Sequence, residues 1–265
     1  ALAGMLSAAP SMVKAQGGNT APTASKVVYD FQHFNDIKML QLFEKAVREG
    51  KRYPSKEELR AAGLADEIEF VRSHVRKRSI LPRKDRLIQS TFETRELFMN
   101  IPAGAGRTIG GYPSSDFASD NFSMWNYTNL FGAWNHGLFQ APGSWADAAH
   151  KNGTDMMSGI KFFDTTGNPG GVGAEGWLPI LKAKNTDGTF KYAKPMVYML
   201  QYLGLDGINY NWEASSYNDP EVIAFHQKLY EIAKEEKFDN FHIAIYTLNN
   251  SLTPYNVEAL FGKNN

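Results

Sequence analysis

The chain of 265 residues is 43% hydrophobic and 21% charged, a balance that supports a packed core and excludes disordered and collagen-like architectures. Lysine plus arginine and aspartate plus glutamate both number 28, so no basic stripe points to nucleic acid or to an anionic membrane, and a neutral, polyhydroxylated ligand suits the surface better. The absence of cysteine excludes disulfides, thiolate metal sites and a cysteine-anchored lipoprotein form.

Residues 1–15 are rich in Ala, Leu and Met and end in Val13-Lys14-Ala15, like the end of a secretory signal peptide. This signal-peptide remnant predicts an exported protein, periplasmic, on the cell surface or extracellular; an Ala-rich linker fits the same residues about as well. Residues 16–26, with Gly, Asn, Thr and Ser, read as a linker. No other apolar run is long enough to span a bilayer.

A helical N-terminal region is expected over 27–90. Ile37, Leu40, Leu42, Phe43 and Val47 fall at helical spacing with Gly50 as the stop, and Ser55-Lys56-Glu57-Glu58 offers a capping box for a second helix. A third helix is expected over 65–75, and the basic cluster from Arg72 to Arg86 reads as a solvated face.

Over 91–265 short aliphatic and aromatic runs alternate with helix-like stretches. Strands are expected over 96–101, 127–134, 154–163, 204–213 and 241–248, with helices over 145–151, within 177–203 and over 220–237. Such alternation predicts a parallel sheet. Polar residues collect where strands end, at Asn135, His136, Asp164, Asn211, Glu213, Tyr246 and Asn249, and that rim is where (β/α)8 barrels carry their sites. The predicted fold is α/β, a (β/α)8 TIM barrel truncated after about five strands where closure needs eight, preceded by a short helical leader. The Gly-rich stretch 102–111 lacks the spacing of a P-loop or dinucleotide loop and reads as a loop near the site.

The segment 204–213, G-L-D-G-I-N-Y-N-W-E, is the most informative. Strand alternation places Asn209, Asn211 and Glu213 on one face and Ile208, Tyr210 and Trp212 on the other. Three polar groups on one face of an otherwise apolar strand indicate either chemistry or a fully hydrogen-bonded structural network.

Three anchors carry a family resemblance: the run from Pro142 through Ala148-Ala149-His150-Lys151-Asn152-Gly153, the helix-and-strand segment 185–207, and Asp206-Gly207 followed by Asn211-x-Glu213. Together they resemble glycoside hydrolase family 85, the endo-β-N-acetylglucosaminidases that release N-glycans by cutting between the two core GlcNAc residues. The similarity runs over 125–256. Ile245-Tyr246 is similar to the family's W-Y-D-S strand, with Ile245, Thr247 and Leu248 in place of Trp, Asp and Ser. The same segment is more distantly similar to family 18 chitinases, whose signature is D-x-x-D-x-D-x-E. Here Asp206, Asn209, Asn211 and Glu213 stand at those positions, and Asn two residues before the Glu is the family 85 pattern.

Ordinary glycosidases need two carboxylates, and this strand supplies one. The resemblance implies substrate-assisted chemistry, in which the sugar's 2-acetamido oxygen attacks the anomeric carbon. Glu213 would then be general acid and afterwards base, its pKa raised by its surroundings, and Asn211 would orient the acetamide. Tyr246 would donate to the acetamide or the intermediate, although spacing alone fits a core tyrosine equally well. Trp134, His136, Phe163, Asp164, Asn209 and Asn249 are the expected substrate-binding residues. For Trp134 stacking on a sugar and core burial fit equally, and a satisfied structural histidine describes His136 better than a catalytic one. Trp212 is expected in the core, and His150 as a helix cap or packing residue. No group of His and carboxylates has metal-ligand spacing, so neither metal nor other cofactor is expected. The expected partner is an N-glycan or glycoprotein. A chitinase-like hydrolase and a catalytically silent barrel that binds GlcNAc-containing glycans remain as alternatives.

Overall fold

Five parallel strands lie side by side in chain order: β1 (Phe98–Ile101), β2 (Leu130–Ala133), β3 (Asp155–Lys161), β4 (Gly207–Asn211) and β5 (His242–Tyr246). The computed structural model describes residues 36–77, 97–101, 122, 124–133, 143–161, 173–212, 215–238, 240–247, 254 and 258. Parallel neighbours require crossovers, and among the described residues helices supply three of the four. Helix α4 (Gly143–Lys151) joins β2 to β3, α5 (Gly173–Lys182) and α6 (Ala193–Leu203) join β3 to β4, and α7 (Pro220–Glu235) joins β4 to β5. The sheet curls into half of a (β/α)8 barrel, as the alternation of elements predicts.

Ring contacts identify the outer face of the sheet. Phe131 of β2 meets Trp145 of α4 edge-on at 5.9 Å, and Tyr210 of β4 meets His226 of α7 at 5.1 Å. Alternation then assigns Gly132, Asn209 and Asn211 to the barrel interior. The space above Gly132 confirms it, because a Cβ there would lie 2.6 Å from Phe98 Cε2 and 2.9 Å from Asn209 Nδ2. Side chains of β1 and β4 thus converge over a glycine of β2.

The N-terminal helices α1 (Asp36–Arg48), α2 (Lys56–Ala61) and α3 (Ala65–Val71) join the outer layer. Phe43 of α1 meets Tyr202 of α6 edge-on at 5.6 Å, and both Met39 and Leu40 belong to the core that also holds Met196 and Leu200. Arg52 donates to Glu236 at 2.6 Å and to Gln201 at 2.6 Å. The capping box forms as expected: Ser55 Oγ accepts from Glu58 N at 3.1 Å while Ser55 N donates to Glu58 Oε2 at 2.8 Å.

Helix α3 ends at Val71 and not near Val75, because the next residues are drawn into tertiary bonds: Ser73 N donates to Leu203 O at 2.8 Å. Gly204 permits this approach. It closes α6 at φ +69, and a Cβ there would also stand 2.8 Å from Ser73 O. Two residues of the basic cluster turn inward, Arg72 over the Tyr202 ring at 4.1 Å and Lys77 toward Asp155, whereas His74 and Arg76 are exposed as a solvated face requires. The rest of the cluster, residues 78–86, lies outside the described residues. The sequence pattern does not mark 173–182 as a helix of its own. Pro179 disguises α5, which forms because Trp177 and Leu181 are buried against the core.

Candidate active site

Every residue of β4 is buried, and Trp212, which follows it, is 0% exposed. On the outer face the Tyr210 hydroxyl donates to His226 Nε2 at 2.8 Å, while His226 Nδ1 lies 2.8 Å from Val222 O. A carbonyl only accepts, so Nδ1 carries the proton and Nε2 is the acceptor. Burial pushes the His226 imidazole down to about 4, and it pushes the Tyr210 phenol well above its ordinary range. Trp212 packs beside them, its ring 5.3 Å from Tyr210 and 6.1 Å from His226. It is a core residue, as alternation predicts.

On the interior face Asn209 and Asn211 are 4% and 6% exposed. Asn209 pairs in register with Gly159 on β3 and Ala244 on β5, so the residues beside it are small. Asn211, the last residue of β4, pairs with Lys161 and Tyr246. The ladder extends one rung further, Trp212 N donating to Tyr246 O at 2.8 Å. Tyr246 is 47% exposed at the rim, which is not the position of a core tyrosine.

Three buried side-chain atoms among the described residues make no hydrogen bond: Asp155 Oδ1, Asn211 Oδ1 and Thr247 Oγ1. Lys77 Nζ stands 2.7 Å from Asp155 Oδ1, outside hydrogen-bond geometry yet close enough to offset its charge. The other two lie at the C-terminal side of the sheet, Asn211 closing β4 and Thr247 following β5. An orphaned buried acceptor costs ~1–3 kcal/mol, and such a cost calls for an explanation in the chemistry of the site. At the mouth of a half-barrel, an incoming donor from a ligand would satisfy it.

Glu213, Trp134, His136, Phe163, Asp164 and Asn249 lie outside the described residues. The structure brings Asn209, Asn211 and Tyr246 onto adjacent strands, with Asn211 two residues before Glu213 and β2 ending one residue before Trp134.

A second polar group, not anticipated from the sequence, occupies the opposite end of the strands. His150 is buried, with Nε2 2.6 Å from Asp206 Oδ2 and Nδ1 2.6 Å from Val75 O. Both ring nitrogens face acceptors, so the imidazolium is the form that satisfies them. Burial alone would lower its pKa, but the Asp206 carboxylate and the Val75 carbonyl together outweigh burial and raise it. Asp206 Oδ2 also accepts from Met156 N at 2.8 Å, and His242 Nε2 lies 3.0 Å from Asp155 Oδ2. His150 is therefore neither a cap nor a simple packing residue: it ties α4 to β4. The (β/α)8 plan places chemistry at the C-terminal rim and structural support at this end. Among the described residues no group of His, Asp or Glu could hold a metal ion.

The family model described as glycosyl hydrolase family 85 matches residues 107–256, more than half of the chain. The chain belongs to glycosyl hydrolase family 85. Its fold is similar to the glycoside hydrolase domain of Endo-D from Streptococcus pneumoniae, with a TM-score of 0.51 and 19% identity. The match covers 68% of this chain and 28% of that one, so the family 85 chain spans little more than a quarter of its structural neighbour's length. Among curated proteins none matches. The matched span contains β2 to β5, the pair Asn211 and Glu213, and the orphaned acceptor of Asn211.

Proposed function

We propose that this family 85 chain carries the acid and the orienting residue of an endo-β-N-acetylglucosaminidase. It would hydrolyse the GlcNAc-β1,4-GlcNAc core of N-linked glycans by a retaining, substrate-assisted mechanism. The observation that carries this reading is Asn211 Oδ1, a buried acceptor with no partner at the C-terminal end of β4, two residues before Glu213. A 2-acetamido N–H is a donor of the kind that atom lacks. By accepting from it, Asn211 would hold the acetamide carbonyl in line with the anomeric carbon and favour attack to form an oxazoline. Glu213 would protonate the leaving oxygen and then activate the incoming water, and Tyr246, in register with Asn211, would donate to the acetamide or the intermediate. One carboxylate then suffices, because the substrate supplies the nucleophile.

The test is incubation with a high-mannose glycopeptide, beside Glu213→Gln, followed by mass spectrometry. The expected product is a peptide keeping one GlcNAc, absent with the variant. Folded protein that binds the glycan without cleaving it, or that cleaves only chitin oligomers, would overturn the reading.

A further inference from the structure

We infer that Tyr210 and His226 form a positioning pair that sets the orientation of Asn211 from the far side of β4. This rests on the hydrolase reading above, in which Asn211 orients the substrate. Asn211 Oδ1 accepts no hydrogen bond, so among the described residues no hydrogen bond fixes the acceptor end of its amide. The strand that carries the side chain therefore has a direct part in setting where that amide points.

Along β4 the backbone is fixed by register pairing to Lys161 and Tyr246, while its rotation about the strand axis is fixed by the outward side chains that flank Asn211. Those side chains are Tyr210 and Trp212, and both rings pack on one residue, His226. His226 is locked in turn: Nδ1 donates to Val222 O within α7, leaving Nε2 aimed at the Tyr210 hydroxyl at 2.8 Å. A hydrogen bond in fully buried surroundings is directional and strong against its alternatives, because no water competes for either partner. Asp219 anchors the start of α7, accepting from Glu221 N at 2.9 Å and pairing with Lys182 of α5. A relay therefore runs from the α7 backbone through His226 and Tyr210 to the strand that presents Asn211.

The test compares Tyr210→Phe with the double variant Tyr210→Phe/His226→Phe. The single change leaves His226 Nε2 buried without its donor; the double change replaces both partners by rings of similar shape, which restores stability without the bond. A positioning role predicts that kcat on the glycopeptide falls roughly tenfold in Tyr210→Phe with KM within about twofold, and that kcat stays low in the double variant although Tm recovers. A second readout is the side-chain amide resonance of Asn211 in asparagine-labelled protein, assigned by its loss in Asn211→Asp, which should move in both variants. Recovery of kcat together with Tm, or an unmoved Asn211 resonance, would overturn the inference. If the wild-type protein cleaves no glycopeptide, the hydrolase reading fails by itself; the resonance then decides, a shift supporting the positioning pair and no shift overturning it.

Discussion

His150 and Asp206 face each other 2.6 Å apart at the N-terminal end of the sheet, the full length of β4 away from Asn211. The folded protein holds His150 above its unfolded value of 6.5, so the bond contributes its full stability below about pH 6.5 and loses it as pH rises through the raised value. Urea unfolding across pH 6 to 9 should show stability falling on the alkaline side. Asp206→Ala should cost about 3 kcal/mol or more, because it strands a buried imidazolium and the Met156 N–H together, and should flatten that alkaline slope. An unchanged slope in the variant would show that another group titrates there.

His226 predicts the opposite limb. Its pKa falls from 6.5 unfolded to about 4 in the folded protein, so its contribution is complete above pH 6.5 and is lost progressively as pH falls toward 4. The loss amounts to ~3 kcal/mol, since each tenfold change in proton affinity is worth about 1.4 kcal/mol. In the Tyr210→Phe/His226→Phe variant this part of acid destabilisation should vanish, read as a shallower dependence of the urea midpoint on pH between 6.5 and 4.

Gly207 predicts a steric effect at the first residue of β4. A Cβ there would lie 2.0 Å from the carbonyl oxygen of His242, a backbone atom held in the β4–β5 ladder. Gly207→Ala should therefore cost more than the ~1–3 kcal/mol usual for overpacking, since no side chain can rotate away. Gly188 is the control: with φ +80 and open space around it, Gly188→Ala should cost only about 1 kcal/mol of backbone strain. Thermal unfolding of the two variants separates these cases, and equal losses would refute the clash.

Much of this is legible in the sequence, for a physical reason in each case. Period-two alternation within 204–213 correctly separates Asn209 and Asn211 from Tyr210 and Trp212, since a strand buried on both faces still has two sides. The Ser55 capping box is visible because it is local. Helix α5 is not, because burial of Trp177 and Leu181 overrides the local signal of Pro179. Nor is the bond from His150 to Asp206, which joins residues 56 positions apart and leaves no periodic trace. Asp206 stands out in the sequence as part of a D-G motif, yet nothing in that motif places it at the supporting end of the strand. The orphaned Oδ1 of Asn211 is likewise a property of packing, and alternation can place the side chain on the interior face but not count its bonds.

That orphaned atom yields the sharpest prediction, because function and stability should move in opposite directions. In Asn211→Leu a buried amide acceptor without a partner becomes an apolar group of similar size, removing a desolvation penalty of ~1–3 kcal/mol. The variant should unfold at a higher urea concentration than the wild type while losing the ability to cleave a high-mannose glycopeptide. Asn211→Ala would leave a cavity beside Tyr246 and lose activity without gaining stability, which isolates the polar effect from the packing effect. A structural asparagine would behave otherwise, since removing a satisfied amide destabilises. If Asn211→Leu lowers the urea midpoint, the acceptor is bonded in solution, and its reading as a group kept open for substrate fails.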